Sequence, residues 1–213
     1  MKLCISNIAW TAEQDSEVAQ LLVSRGIHAI EVAPSRVAQD IANASSEQID
    51  SFRNFWKQHD IEIVAMQALL FNRPELQVFG NSQQQSDLLN HLEAVFRMGE
   101  KLGAKSLVFG SPNNRKRGEL GMAEACVKAA EFFVKVANLC QKHGVFLCLE
   151  PNPTEYNCDF LTNTAEGHGF VGLVNRPEIK LHLDSSTMIL NKEQISALAL
   201  IQDEQFSHVH LSL

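Results

Sequence analysis

Short apolar runs and amphipathic stretches take turns along the whole of this chain. The apolar runs are Lys2 to Ile8, Ile27 to Val32, Ile61 to Leu70, Ala104 to Phe109, Val145 to Glu150, the run ending in Lys180-Leu-His-Leu-Asp184, and Ser207 to Leu211. Their length and uniform hydrophobicity predict strands buried on both faces. Between them lie helical patterns. A Thr11-x-x-Gln14 capping box opens a helix that closes at Arg25-Gly26. Ser46 to His59 places Ile49, Phe52, Phe55 and Trp56 on one stripe. Further helices are expected over Ser86 to Leu102, from about Gly121 to His143, within Phe160 to Asn175 behind Thr162 or Asn163 as cap, and over Lys192 to Gln202. Three joints repeat one pattern, a basic last turn, a glycine and an apolar strand: Arg25-Gly-Ile, Lys101-Leu-Gly-Ala and Lys142-His-Gly-Val.

Strands that alternate with helices of this length form parallel βαβ units. No linker or composition break interrupts the rhythm, so residues 1–213 are expected to form one domain. Two architectures compete, an open doubly wound sheet and a (β/α)8 barrel. No strand-to-helix turn carries G-x-G-x-x-G, and Gly103-Ala-Lys-Ser106 lacks the preceding glycine of a phosphate loop. Polar residues instead end nearly every strand: Asn7, Glu31, Gln67, Gly110-Ser111, Glu150, Asp184 and His210. That is where a barrel carries its chemistry.

The strand ends are the functional signal. Val145-Phe-Leu-Cys-Leu-Glu150 is stopped by Pro151 and Pro153, which cannot donate to a ladder, and this leaves a carboxylate at the strand tip. By the two-residue period, His182 and Asp184 share a face, as do His208 and His210. Glu150, Asp184 and His210 together make an oxygen-rich site for a divalent ion such as Mn²⁺, Co²⁺, Mg²⁺ or Zn²⁺, able to polarise a carbonyl. Read singly, each is equally a capped or salt-bridged side chain. His182 and His208 lie deeper on the same face, where they either orient the ligands or are hydrogen-bonded core histidines. Glu31 is placed to contact substrate hydroxyls, or to serve as a structural carboxylate at the barrel mouth. Gly110-Ser-Pro-Asn-Asn-Arg115-Lys-Arg117 reads as a mobile basic loop that presents Ser111 and Arg115 to a phosphate or carboxylate, or as a merely solvated one. Trp10 and Phe71 either wall a sugar pocket or pack at its rim.

Composition narrows the partners. A net charge of -7 over 213 residues disfavours a nucleic acid held through phosphate contacts. Five cysteines without a C-x-x-C read as reduced core thiols of a cytoplasmic protein. No signal peptide or apolar stretch of spanning length is present, so no membrane partner is expected.

The stretches Ile30-Glu-Val-Ala-Pro34, Leu107-Val-Phe-Gly-Ser-Pro112, Leu149-Glu-Pro-Asn-Pro153, His182-Leu-Asp184 and His208-Val-His210 resemble the xylose-isomerase-like barrel superfamily, in particular its sugar (phosphate) isomerase/epimerase group. The resemblance covers the whole chain. It implies a (β/α)8 TIM-barrel fold, a divalent metal, and isomerisation or epimerisation of a small sugar or sugar phosphate by proton transfer next to a metal-bound carbonyl. It makes Glu150 a metal ligand and proton-transferring base, and Asp184 and His210 further ligands. Gln67, Ser111, Arg115, Glu31, His182 and His208 are then expected around the substrate. Two departures accompany it. Family members carry a histidine about three residues after the strand-six aspartate, where this chain has Thr187. The family's fourth ligand, a glutamate on strand eight, has no counterpart, because seven strands take the chain to Leu213. An incomplete barrel with two open edges is therefore expected, and with it a homodimer. The alternatives are a barrel that binds a small polyol or acid without catalysis and, disfavoured by the charge, a metal-dependent nuclease acting at abasic sites.

Overall fold

The computed structural model describes residues 2–212, apart from the side chains of Ala197, Leu200 and Asp203. Seven strands, β1 (Ile5–Ser6), β2 (Ala29–Val32), β3 (Glu62–Met66), β4 (Ser106–Phe109), β5 (Phe146–Leu149), β6 (Ile179–Asp184) and β7 (Phe206–His210), form one sheet in sequence order. Every neighbouring pair is parallel. The sheet is strongly curled. Glu31 on β2 bonds His210 on β7, although five strand spacings of a flat sheet would hold them roughly 24 Å apart. Ser106 on β4 likewise meets Ser207 on β7, Oγ to Oγ, at 2.8 Å. This is the expected parallel α/β barrel, with β1 and β7 as unpaired edges among the described residues.

Helices α1 (Asp15–Ser24), α2 (Pro34–Val37), α3 (Ser46–Gln58), α4 (Ser82–Leu102), α5 (Met122–His143), α6 (Thr164–Val174) and α7 (Ser185–Leu190) follow the strands. Strand residues alternate between the helices and the barrel interior. Leu107 lies against α4 at Gly99, and Leu181 against α6 at Gly167. On the helix side a run of edge-to-face rings, Phe79–Phe160–Phe170–Phe133–Phe109, has centroid spacings of 5.0, 5.3, 5.7 and 5.7 Å. Such pairs add about 0.5–1.5 kcal/mol each beyond their burial. The run ties α5 and α6 to the end of β4.

The capping grammar is largely as read. Gln14 Oε1 accepts from the Thr11 amide at 3.0 Å, and Gly26, Gly103 and Gly144 hold φ of +70°, +88° and +62° where their helices stop. Four elements differ. β1 is short because Asn7 turns the chain into a 3-10 turn, its Oδ1 accepting the Ala33 amide at 2.9 Å. β3 stops at Met66, and Ala68 at φ +54° starts a series of turns. α4 begins at Ser82 rather than Ser86, since Asn81 and Gln84 form a reciprocal capping box. No α-helix spans Lys192 to Gln202. The helix after β6 starts at once at Ser185, because Asp184 is its cap, and Ile195–Leu200 is a 3-10 turn. No helix among the described residues is long and apolar enough to cross a membrane.

Candidate metal centre

Glu150 and Asp184 both face His210 Nδ1 inside the barrel at its C-terminal end. Leu149 closes β5, and the Glu150 amide adds one more ladder bond to the Phe109 carbonyl, 3.1 Å, before the prolines end the strand. The inward side chain brings Oε1 to 3.5 Å from His210 Nδ1 and 3.4 Å from His182 Nε2. Asp184 Oδ2 lies 3.9 Å from the same Nδ1. Its Oδ1 is engaged elsewhere, accepting from the Ser186 amide and hydroxyl and from Ser212 Oγ, each at 2.7 Å. Thus Asp184 faces the centre with one oxygen and the chain with the other.

His210 is the hub. Its Nε2 lies 3.0 and 3.2 Å from the two oxygens of Glu31, and its Nδ1 faces Glu150 and Asp184. Burial opposes a charge on this ring, but hydrogen bonds and charge from Glu150 and Glu31 outweigh it and raise the pKa to about 10. Glu31 is 2% exposed. Burial alone would raise its pKa, yet the His208 and His210 rings set against it hold it below the usual carboxylate range. His182 is fully buried, and burial together with the charges of His210 and His208 keeps it well below the ordinary histidine value, so this ring is neutral.

The donor set fits a divalent ion. His182 Nδ1 and Nε2 and His208 Nε2 are buried without an aligned hydrogen-bond partner, although His208 Nε2 is 3.2 Å from Glu31. Buried polar atoms without partners are rare, and facing carboxylates they mark a place for a cation. Two trios, Glu31–His208–His210 and Glu150–His182–His210, hold one ligand atom each within 4.8 Å of one another. His210 belongs to both. A ligating histidine ordinarily donates its second ring N–H to a carboxylate. Glu31 fills that place on Nε2, which turns Nδ1 toward Glu150 and Asp184.

Several expectations need correction or placement. Arg115 does not line a substrate pocket and its loop is not a loose basic strap. The side chain is 0% exposed and spends its donors on the Glu150 carbonyl, Asn152 Oδ1 and the Phe109 carbonyl. Glu31 is too deeply buried to meet substrate hydroxyls and instead serves His210. Gln67 is half-buried and bonds Ser6 Oγ across β1 and β3, while Ser111 is half-buried at the head of the Pro112–Arg115 turn. Thr187, within α7, is 2% exposed, and its amide donates to Asp184 Oδ1 at 3.4 Å. Trp10 donates to Asp15 at 2.7 Å and packs edge-on against Trp56, while Phe71 is exposed. The five thiols are free, and burial pushes Cys148 up to about 12 and Cys4 to about 11. Asn152 was not singled out in the sequence. Its Nδ2 donates to Glu150 Oε2 at 3.1 Å, and the only local signal was its place between the two prolines.

The comparisons with known proteins bear on the fold. No curated protein matches the chain by sequence. Among solved structures, D-psicose 3-epimerase with D-tagatose from Clostridium cellulolyticum H10 superposes with a TM-score of 0.79 at 18% identity, covering 99% of this chain and 72% of that one. The IOLI protein with a binding zinc atom gives 0.75 at 18% identity, over 97% of this chain and 70% of that one. An AP endonuclease, family 2, from Brucella melitensis gives 0.75 at 17%, over 98% and 78%. At such identities the likeness is one of fold. The xylose isomerase-like TIM barrel family matches residues 19–212 of the sequence, and with the seven-stranded parallel barrel this places the chain in it: the chain belongs to the xylose isomerase-like TIM barrel family.

Proposed function

We propose that this chain is a divalent-metal-dependent isomerase or epimerase of a small sugar or sugar phosphate, working in the cytoplasm. The observation that carries the reading is that Glu150 and Asp184, from the two preceding strands, both face His210 Nδ1, at 3.5 and 3.9 Å, with His182 at 3.4 Å from Glu150. Glu150, Asp184 and His210 would hold the ion, and His182 is within reach as a fourth donor. A bound divalent ion supplies Lewis-acid polarisation of a substrate carbonyl. Glu150 would take the proton from the carbon beside the substrate carbonyl and return it to the carbonyl carbon as the hydroxyl proton passes between the two oxygens, its reach fixed by the end of β5. Glu31, 3.0 Å from Nε2, would hold the proton on that nitrogen and leave Nδ1 to serve the ion. Because hydrogen bonds and charge from Glu150 and Glu31 raise the pKa of His210, holding an ion at Nδ1 would release a proton. The likenesses to sugar epimerases and to a zinc-holding barrel support this reading.

The test is metal content by elemental analysis after loading with Mn²⁺, followed by assay on ketoses and their phosphates. One ion per chain in the wild type, less than about a tenth of that in Glu150→Gln, and turnover only in the loaded wild type are expected. Equal metal and turnover in both proteins would sink the assignment. A second reading, binding without catalysis, draws on Thr187, buried where the resemblance places a substrate-contacting histidine. Thermal stabilisation by a sugar in the loaded protein with no turnover would favour it.

A further inference from the structure

Arg115 is a buried cation without an anion. Among the described residues no carboxylate pairs with it, its Nε has no acceptor, and none of it reaches solvent. Isolating a charge in this way costs several kcal/mol, and packing gives no reason to carry it. Its bonds show what it secures. One guanidinium nitrogen donates to the Glu150 carbonyl at 2.6 Å and to Asn152 Oδ1 at 2.9 Å. The other reaches the Phe109 carbonyl at 3.4 Å. Three acceptors at the ends of β4 and β5 are thereby bound to one rigid plane.

The amide of Asn152 passes this order on. With Oδ1 turned to Arg115, Nδ2 has to face Glu150, where it donates to Oε2. Gly110 completes the cradle, since a Cβ there would stand 2.0 Å from Oε2. One carboxylate oxygen is thus lodged between Gly110 and Asn152, and the other is left facing His182 and His210. We propose that Arg115 and Asn152 are positioning residues that aim the Glu150 carboxylate into the metal centre. The proposal rests on Glu150 being the ligand and proton carrier.

The test is a Mn²⁺ titration of the full chain followed by electron paramagnetic resonance, alongside thermal melts. Asn152→Ala and Arg115→Lys are compared with wild type, Glu150→Gln, and Ile49→Ala, a core change in α3. A lysine keeps the charge but cannot span three acceptors. Asn152→Ala and Arg115→Lys should weaken Mn²⁺ binding about tenfold or more, as loss of a ligand's hydrogen-bond partner does. Ile49→Ala should lower the melting temperature and leave affinity unchanged, which separates aim from stability. If Arg115→Lys does not fold, Asn152→Ala alone decides. Affinity within about twofold of wild type in Asn152→Ala, with binding lost in Glu150→Gln, overturns the positioning role alone. Unchanged binding in Glu150→Gln overturns the role of Glu150, and this proposal with it.

Discussion

Glu150 and His210 lie 3.5 Å apart and are held there by unlike means. Glu150 stands on the packed side of the barrel. β4 and β5 are buried along nearly their whole length, the run of phenylalanines backs them, and one buried guanidinium, Arg115, ties the strand ends through neutral acceptors. His210 stands on the edge strand β7, whose residues alternate between half-buried and exposed, with Val209 42% exposed. Few apolar contacts are available to hold such a strand. Charge does the holding, through Glu31 from across the barrel and through Glu150 and Asp184. One half of the centre is therefore set by shape and the other by its neighbours' ionisation.

Removing the charge should do the most damage. Glu31→Ala leaves His208 and His210 without their buried carboxylate and should cost about 3 kcal/mol or more in urea unfolding. A loss under about 0.5 kcal/mol would show that β7 is held by something else. Crowding the packed half should do nearly as much to the centre but less to the fold. Gly110→Ala pushes a methyl into Glu150 Oε2, and the Mn²⁺ dissociation constant should rise about 100-fold, equivalent to about 2.7 kcal/mol. Wild-type affinity in that variant would mean that the carboxylate finds its aim without the cradle.

The smallest effect concerns a polar contact outside the centre. His91 on α4 takes the Arg73 N–H at Nδ1, 3.0 Å, and points Nε2 at the Leu69 carbonyl, 2.9 Å. Burial, with Arg73 helping, lowers its pKa against the opposing Leu69 bond. A histidine depressed in the folded state contributes stability that is whole above its ordinary pKa of about 6.5 and is lost as pH falls. Between pH 7.5 and 5.5 the wild type should lose more stability than His91→Gln. Identical losses would remove His91 from the account of acid sensitivity.

Much of this was legible in the sequence, and the reason lies in periodicity. The strands are short and apolar, and the two prolines after Glu150 announce a strand end with a carboxylate on it. The alternation in His182-Leu-Asp184 and His208-Val-His210 put His182, Asp184, His208 and His210 on the interior face of the barrel. Arg115 and Asn152 were beyond such reading, because their meaning is a contact across 37 residues of chain. Phe206 was beyond it too. A register shift between β6 and β7 pairs Leu181 with Phe206 but His182 with His208, which turns Phe206 toward the helices against simple alternation. α7 was missed because Asp184, read as a ligand, also serves as a cap.

That double employment makes the centre visible from outside it. Asp184 Oδ1 accepts the amide protons of Ser186 and Thr187, at 2.7 and 3.4 Å, and Ser212 beyond β7 leans on the same oxygen. Any ion that draws on Oδ2 stiffens the carboxylate from which these bonds hang. Those two amides should trade their hydrogens with heavy water more slowly once Mn²⁺ is added. Mass-spectrometric deuterium uptake in the peptide covering 184–190 would record it, and equal uptake with and without the ion would show that Asp184 caps its helix and does no more.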